Sequence, residues 1–232
     1  MSRPRQDIDW SPLVERRRAG WVAGISALVV LVLGLLVANA WPPLLSLDAR
    51  IDTGVHTWAL QNSWAVRGAD VLQTMGYVSF SVWVVAATTV VLLVARRHRL
   101  ALALVLVAAV APTVTNLIKP VVGRARPAWE QSLGAEATLS YPSGHATAGI
   151  AVYAACAIAL AALVRSARLR VVLVAAGTAI GVAMGLSRLV LGVHWPSDVV
   201  GGWCVAIAVG AAVGAALVLD GRSSPERECV EP

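Results

Sequence analysis

Charged side chains are scarce in this chain: Asp, Glu, Lys and Arg make up 14% of its 232 residues, against about 25% in ordinary soluble domains. With 58% hydrophobic residues and a mean hydropathy of +0.72, that scarcity argues against a soluble globular protein and for a membrane protein. Cysteine is nearly absent. Cys156 and Cys204 lie in apolar stretches and Cys229 near the end of the chain, so no spaced framework of disulfides or cysteine metal ligands is present. Lysine is rarer still, Lys119 standing alone beside 18 arginines. Internal repeats and low-complexity tracts are lacking, which excludes a solenoid and suits one compact unit. The first apolar run is too long for a cleaved signal peptide, and no small-residue cleavage site follows it.

What the chain does have is six stretches free of Asp, Glu, Lys and Arg: 19–47, 71–95, 100–118, 137–164, 171–187 and 199–219. Crossing the hydrocarbon core takes about 20 apolar residues per helix. The expected fold is therefore all-α: a polytopic membrane protein with six transmembrane helices and a helical bundle core. Residues 1–20 and 221–232 read as cytoplasmic ends flanking a six-span domain over 21–220. Between the first two spans, "DARIDTGVHTWAL" places Ile51, Val55 and Trp58 at helical spacing, so a short amphipathic helix on the outer surface is expected there. Trp21, Trp41, Trp195 and Trp203 sit near span ends, where an amphipathic ring belongs.

The net charge of +6 would suit nucleic acid, but its distribution favours a bilayer. Thirteen Lys/Arg residues fall on one side: Arg3, Arg5 and Arg16 to Arg18, then the clusters at 96–99 and 165–170, then Arg222 and Arg227. Six fall on the other: Arg50, Arg67, Lys119, Arg124, Arg126 and Arg188. The positive-inside rule then sets both termini in the cytoplasm.

Three segments carry chemistry. "KPVVGRARP" (119–127) holds Lys119 and Arg126 at the outer end of the third span; its Arg124, like Arg67, reads as a loop cation facing solvent or lipid phosphate. "YPSGHATAG" (141–149) opens the fourth span, with Ser143 as the expected N-cap. The free N–H groups of that first turn make an anion site, with Gly144 allowing close approach and His145 within reach. In "SRLVLGVHWPSD" (187–198), Asp198 follows His194 at i, i+4 spacing on the run into span six. A carboxylate on one imidazole nitrogen fixes the tautomer and turns the other nitrogen's lone pair outward, which makes a histidine a nucleophile. Arg188 offers a planar fork for phosphate oxygens, although an interfacial Arg188–Asp198 ion pair would also account for those two residues. Since two crossings separate the last segment from the first two, all three return to one face of the membrane.

These three pieces resemble the signature motifs of the type 2 phosphatidic acid phosphatase superfamily. The matching positions are Lys119 with Arg126 and Pro127; the run Pro142, Ser143, Gly144, His145; and Ser187 and Arg188 with His194 and Asp198. The motifs span 119–198 and match in family order without departure. The resemblance implies that His194 attacks phosphorus and forms a phosphohistidine, with Asp198 holding its ring. It implies that His145 protonates the leaving oxygen and then activates water. Lys119, Arg126, Arg188 and the Ser143–Gly144 turn would hold the phosphoryl oxygens, with no cofactor and no metal.

A site at the water–lipid boundary implies a lipid phosphate or diphosphate substrate, and outward orientation favours recycling of a polyprenyl (di)phosphate. Two other functions fit the same residues: a phosphotransferase passing the group to an alcohol, and a non-catalytic protein binding lipid head groups. His56 and His98 read as solvated, and Tyr141 and Trp129 as interfacial anchors. Gly177, Gly181 and Gly185 recur every four residues, a spacing for close helix packing within the bundle or in a dimer. The oligomeric state is open.

Overall fold

The computed structural model describes residues 11–219; Arg3, Arg5, Arg222, Arg227, Cys229 and the tail 221–232 lie outside the described residues. Every regular element within them is helical. Helix α1 (Ser11–Ala38) begins in the arginine-rich segment and runs straight into the first apolar stretch. That stretch does not continue to residue 47 as expected. The chain turns at Ala40, whose φ is 49°, and Pro42 and Pro43 start a new helix, α2 (Pro42–Gln61). Proline suits a first helical turn because its missing N–H would have had no partner there.

Helices α3 (Ser63–Met75) and α4 (Val78–Val94) meet at a 60° bend around Gly76 and Tyr77 and together are long and apolar enough for one span. Helix α5 (His98–Val122) follows, ending at Gly123, whose φ of 67° is the left-handed cap that glycine accommodates. After a loop over 123–143, helix α6 (Gly144–Ala161) forms a continuous span, π-wound over Gly149–Ala154. Helix α7 (Ala167–Val190) and helix α8 (Pro196–Val213), the latter continuing as a π-helical turn Gly214–Leu219, complete the described chain.

Five helices are long and apolar enough to cross a bilayer, and counting the bent α3–α4 pair as one span makes six. The outer surface agrees: Val78, Trp83, Val94 and Val121 are each at least 75% exposed, an arrangement that water would penalise and lipid favours. The chain is a multi-pass membrane protein. Its fourth span starts at Gly144 rather than 137, because residues 137–143 are drawn into the loop that closes over the site.

Helix α6 is central and the most buried of the spans. Its contact with α7 has almost no room. A Cβ on Gly181 would lie 2.7 Å from the Gly149 carbonyl oxygen, and one on Gly177 2.4 Å from the Ala157 Cβ. Gly185 faces the Trp203 indole of α8. All three glycines of the four-residue repeat thus pack inside the bundle. A hydrophobic core of Leu92, Leu104, Val152, Cys156 and Met184 packs between these helices.

Candidate active site

The site forms where α5, α6, α7 and α8 reach the same end of the bundle, and each element delivers its residue for a local reason. Helix α5 ends one turn after Lys119, which places the ammonium at the rim, where its Nζ donates to the Leu139 carbonyl at 2.5 Å. Ser143 caps α6, its Oγ accepting from the Ala146 amide at 3.4 Å, and its own amide donates to the Asp198 carbonyl at 2.9 Å. That bond ties the start of α6 to the start of α8. A Cβ on Gly144 would meet nothing within 4 Å, so the turn is open to a ligand. Gly76, at the α3–α4 bend, is pressed against the His145 ring, where a Cβ would lie 2.2 Å from Cδ2. Breaking the second span is what lets the backbone come that close.

His194 sits in the short connection between α7 and α8 and is 1% exposed. Its Nδ1 lies 3.3 Å from Asp198 Oδ2. The same oxygen accepts from the Ser140 hydroxyl and from the Trp195 amide at 2.9 Å. An ionised carboxylate only accepts, so Nδ1 carries the proton and Nε2 the lone pair. Burial drives the imidazole pKa down to about 3, with Asp198 pulling upward and Arg126 and Arg188 pushing further down. The ring is therefore neutral at physiological pH. Nε2 faces Arg126, whose Nη1 reaches it at 2.8 Å and also donates to the Val193 carbonyl at 2.8 Å.

Arg188 is fully buried and is held by Gln73 at 2.5 Å and by Glu136 at 2.8 Å. An Arg188–Asp198 pair is therefore not what anchors this helix end. Asp198 pairs instead with Arg124, Nη1 to Oδ1 at 2.8 Å. Arg124, expected to face solvent or lipid, has a side chain only 8% exposed and also bridges to Asp48 at 2.6 Å. Two further expectations are corrected. His56 is buried and stacked on Trp129 at 4.2 Å between centroids, and Tyr141 is fully buried, donating to the Val30 carbonyl at 2.7 Å. Both belong to the packing around the loop over 123–143, not to the membrane interface. His98 is exposed, as expected.

A cavity of about 850 Å³ opens in front of these groups. Lys119, Arg126, Gly144, His145 and His194 line its polar end together with Glu136 and Thr138. Ser143, Arg188 and Asp198 stand behind them and do not line it. The rest of the wall is apolar, including Val82, Val85 and Ala86 of α4 and Val105 and Ala108 of α5. Among the described residues no group of three His, Cys, Asp or Glu side chains is placed to hold a metal ion. Sequence reasoning missed Asp48, Ser140, Ser197 and Gln73 as parts of the site. Of these, only Asp48 left a readable trace, through the polar i, i+4, i+8 series Asp48, Asp52 and His56, all buried on one face of α2.

A helical membrane bundle that gathers two histidines, a buried carboxylate and several cations at the mouth of an apolar cavity has the layout of a membrane-embedded phosphatase. Comparison with known proteins agrees. The family model described as the PAP2 superfamily matches residues 100–218, and the chain belongs to that superfamily. It is 38% identical over 136 residues to decaprenylphosphoryl-5-phosphoribose phosphatase of two Mycobacterium tuberculosis strains, a match covering 57% of this chain and 68% of those proteins. Its fold is that of the first transmembrane PAP2 type phosphatidylglycerolphosphate phosphatase from Bacillus subtilis. The TM-score is 0.73 at 22% identity, over 85% of this chain and 97% of that one. The chain thus stands among the membrane-integral lipid phosphatases.

Proposed function

We propose that the protein removes the phosphate from a lipid phosphate or diphosphate at the extracytoplasmic membrane surface, through a phosphohistidine on His194 and without a metal. The observation that carries this reading is the two-natured cavity, with His194, His145, Lys119 and Arg126 at one end and apolar α4 and α5 walls along the rest. Such a cavity suits a substrate whose head is an anion and whose body is hydrocarbon. The flanks of the α4–α5 groove, Val82, Val90 and Val105, are exposed on the outside of the bundle, which would give a lipid tail a lateral way in.

In the reaction, Nε2 of neutral His194 attacks phosphorus, the bond from phosphorus to the lipid oxygen breaks, and His145, entering the step as the imidazolium, gives that oxygen its proton and is left neutral. A water then loses a proton to His145 and attacks the phosphorus, the P–N bond breaks, and inorganic phosphate leaves. Asp198 balances the positive imidazole of the intermediate. Lys119, Arg126 and the Ser143–Gly144 turn hold the other phosphoryl oxygens, and Arg188, held behind the cavity wall by Gln73 and Glu136, adds positive charge from there, since phosphoryl transfer asks mainly for positioning and charge stabilisation. Arg126, which occupies the Nε2 lone pair in the resting site, is drawn onto the substrate and frees the nucleophile. The fixed cations do the work that Mg²⁺ does in two-metal enzymes.

The loop charges favour both termini in the cytoplasm and the site facing outward. The similarity to the mycobacterial decaprenylphosphoryl-5-phosphoribose phosphatases supports a polyprenyl-linked substrate, and the outward-facing site would suit recycling of such a carrier. The test is purified protein in lipid vesicles with a panel of polyprenyl and glycerolipid phosphates, scoring inorganic phosphate without an added alcohol. We expect phosphate release that His194→Ala abolishes. Full activity in His194→Ala would end this reading, and phosphate appearing only on an added acceptor would make the protein a transferase.

A further inference from the structure

We infer that Asp48 and Arg124, neither of which is a matched position of the three motifs, form a positioning pair that aims the Asp198 carboxylate at His194, so that helix α2 is part of the catalytic apparatus. This rests on the proposed roles of His194 and Asp198. Asp198 is fully buried, and a buried carboxylate is strongly disfavoured without a partner of opposite charge. The neutral imidazole cannot serve as that partner. Arg124 does, through Nη1 to Oδ1 at 2.8 Å, and the same nitrogen bonds the Ser197 hydroxyl at 2.7 Å.

The second guanidinium nitrogen, Nη2, is then held by Asp48 Oδ2 at 2.6 Å. Asp48 in turn grips the first turn of α8, accepting from the Ser197 amide at 3.0 Å and from its hydroxyl at 2.5 Å. Asp48, Arg124 and Asp198 thus alternate in charge along one buried line. The Arg124 plane lies over the Trp195 ring at 5.2 Å, and that indole donates to the Ala125 carbonyl at 3.0 Å, so the fork has little freedom to turn.

Two details make this a matter of aim and not of folding alone. First, the two oxygens of Asp198 divide their work: Oδ2 faces His194, Ser140 and the Trp195 amide, while Oδ1 faces Arg124. Losing the Oδ1 partner frees the carboxylate to rotate. The Nδ1–Oδ2 separation of 3.3 Å is already at the long end for a hydrogen bond, so a small rotation breaks it and releases the tautomer. Second, neither Asp48 nor Arg124 lines the cavity. They act on the nucleophile from behind and do not touch the phosphate.

The experiment compares Asp48→Asn, Arg124→Gln, Arg124→Lys, the Asp48→Asn/Arg124→Gln double variant and His194→Ala, in vesicles carrying one lipid phosphate. It reads kcat, KM and the thermal midpoint. Outer partners of a functional histidine typically contribute about 10- to 100-fold, so kcat should fall by that factor in Asp48→Asn and Arg124→Gln with KM little changed. Because both act through one carboxylate, the double variant should be no slower than Arg124→Gln alone. Arg124→Lys, which keeps the charge, should recover part of the rate. The inference is overturned if kcat holds in both single variants while His194→Ala is dead. It is also overturned if KM rises with kcat intact, which would make Arg124 a phosphate ligand, or if the rate falls only in step with the folded fraction. Activity surviving in His194→Ala would instead sink the reading of His194 on which the inference stands.

Discussion

Replacing Gly202 by alanine would put one methyl group between the start of α6 and the flank of α8. The new Cβ would lie 2.4 Å from the Ser143 carbonyl oxygen, 2.9 Å from the Ala146 Cβ and 3.2 Å from the Thr147 amide nitrogen. Ordinary contact begins near 3.4 Å, and a backbone oxygen cannot rotate aside as a side chain can. The turn carrying Ser143, Gly144 and His145 must therefore move by about 1 Å relative to α8. Its amide bond to the Asp198 carbonyl, at 2.9 Å, resists that movement and skews it. Overpacking of this kind costs about 1–3 kcal/mol, enough to lower the thermal midpoint by several degrees but not to unfold the bundle. The larger effect is on chemistry, where a misplacement of about 1 Å can cost about 100-fold. Purified Gly202→Ala should release phosphate about 100 times more slowly, with KM less affected. Gly210→Ala is the control, since it lies on the same helix and its Cβ would meet nothing within 4 Å; its rate should be that of the parent. Wild-type turnover in Gly202→Ala, or equal damage from Gly210→Ala, would refute the claim that this contact sets the catalytic turn.

Three further outcomes are expected. Asp52 is fully buried on α2, and burial, reinforced by the charges of Asp48 and Asp198 and eased by Arg124, pushes its carboxyl from 3.8 up to about 7. An acid raised on folding weakens the fold as pH climbs from the unfolded value to the folded one, by up to about 4 kcal/mol here. Asp52→Asn should therefore match the parent's thermal midpoint near pH 4 and exceed it at pH 8, and equal midpoints at both would disprove it. Ser140→Ala removes a hydroxyl that donates to Asp198 Oδ2 beside His194 Nδ1, and kcat should drop by about 10-fold, with an unchanged rate counting against that role. Phosphate release should persist in excess EDTA; loss of activity restored by Mg²⁺ would contradict a site run by fixed cations.

The residues gathered at the polar end of the cavity were legible in the sequence because their spacing is rigid: an i, i+4 pair, a capped helix start and a helix-end lysine keep their geometry wherever the helices go. The bundle was legible because long uncharged runs have few alternatives to spanning a bilayer. The second layer was not. Helix α2 was foreseen from Ile51, Val55 and Trp58, yet Ile51 and Trp58 are exposed while Asp48, Asp52 and His56 are buried. In water the apolar face of a surface helix turns inward. Beside a bilayer the apolar face can look out to lipid, and the polar stripe finds its partners inside the protein. Arg124 was misplaced for the same reason, since its neighbours in sequence gave no hint of an aspartate 76 residues away. The bend at Gly76 also left no trace in composition, because nothing charged marks it.

Asp198 also opens α8, its carboxylate reaching back to the Trp195 amide at 2.9 Å, while its other duties are to His194 and Arg124. Three tasks are soldered into a single carboxyl group. Under the proposed mechanism, any replacement there would scramble scaffold and chemistry in one stroke, and a dead enzyme would say nothing about which of them failed. Genetic dissection of this centre has to proceed through the neighbours that hold the carboxylate, and leave the aspartate for last.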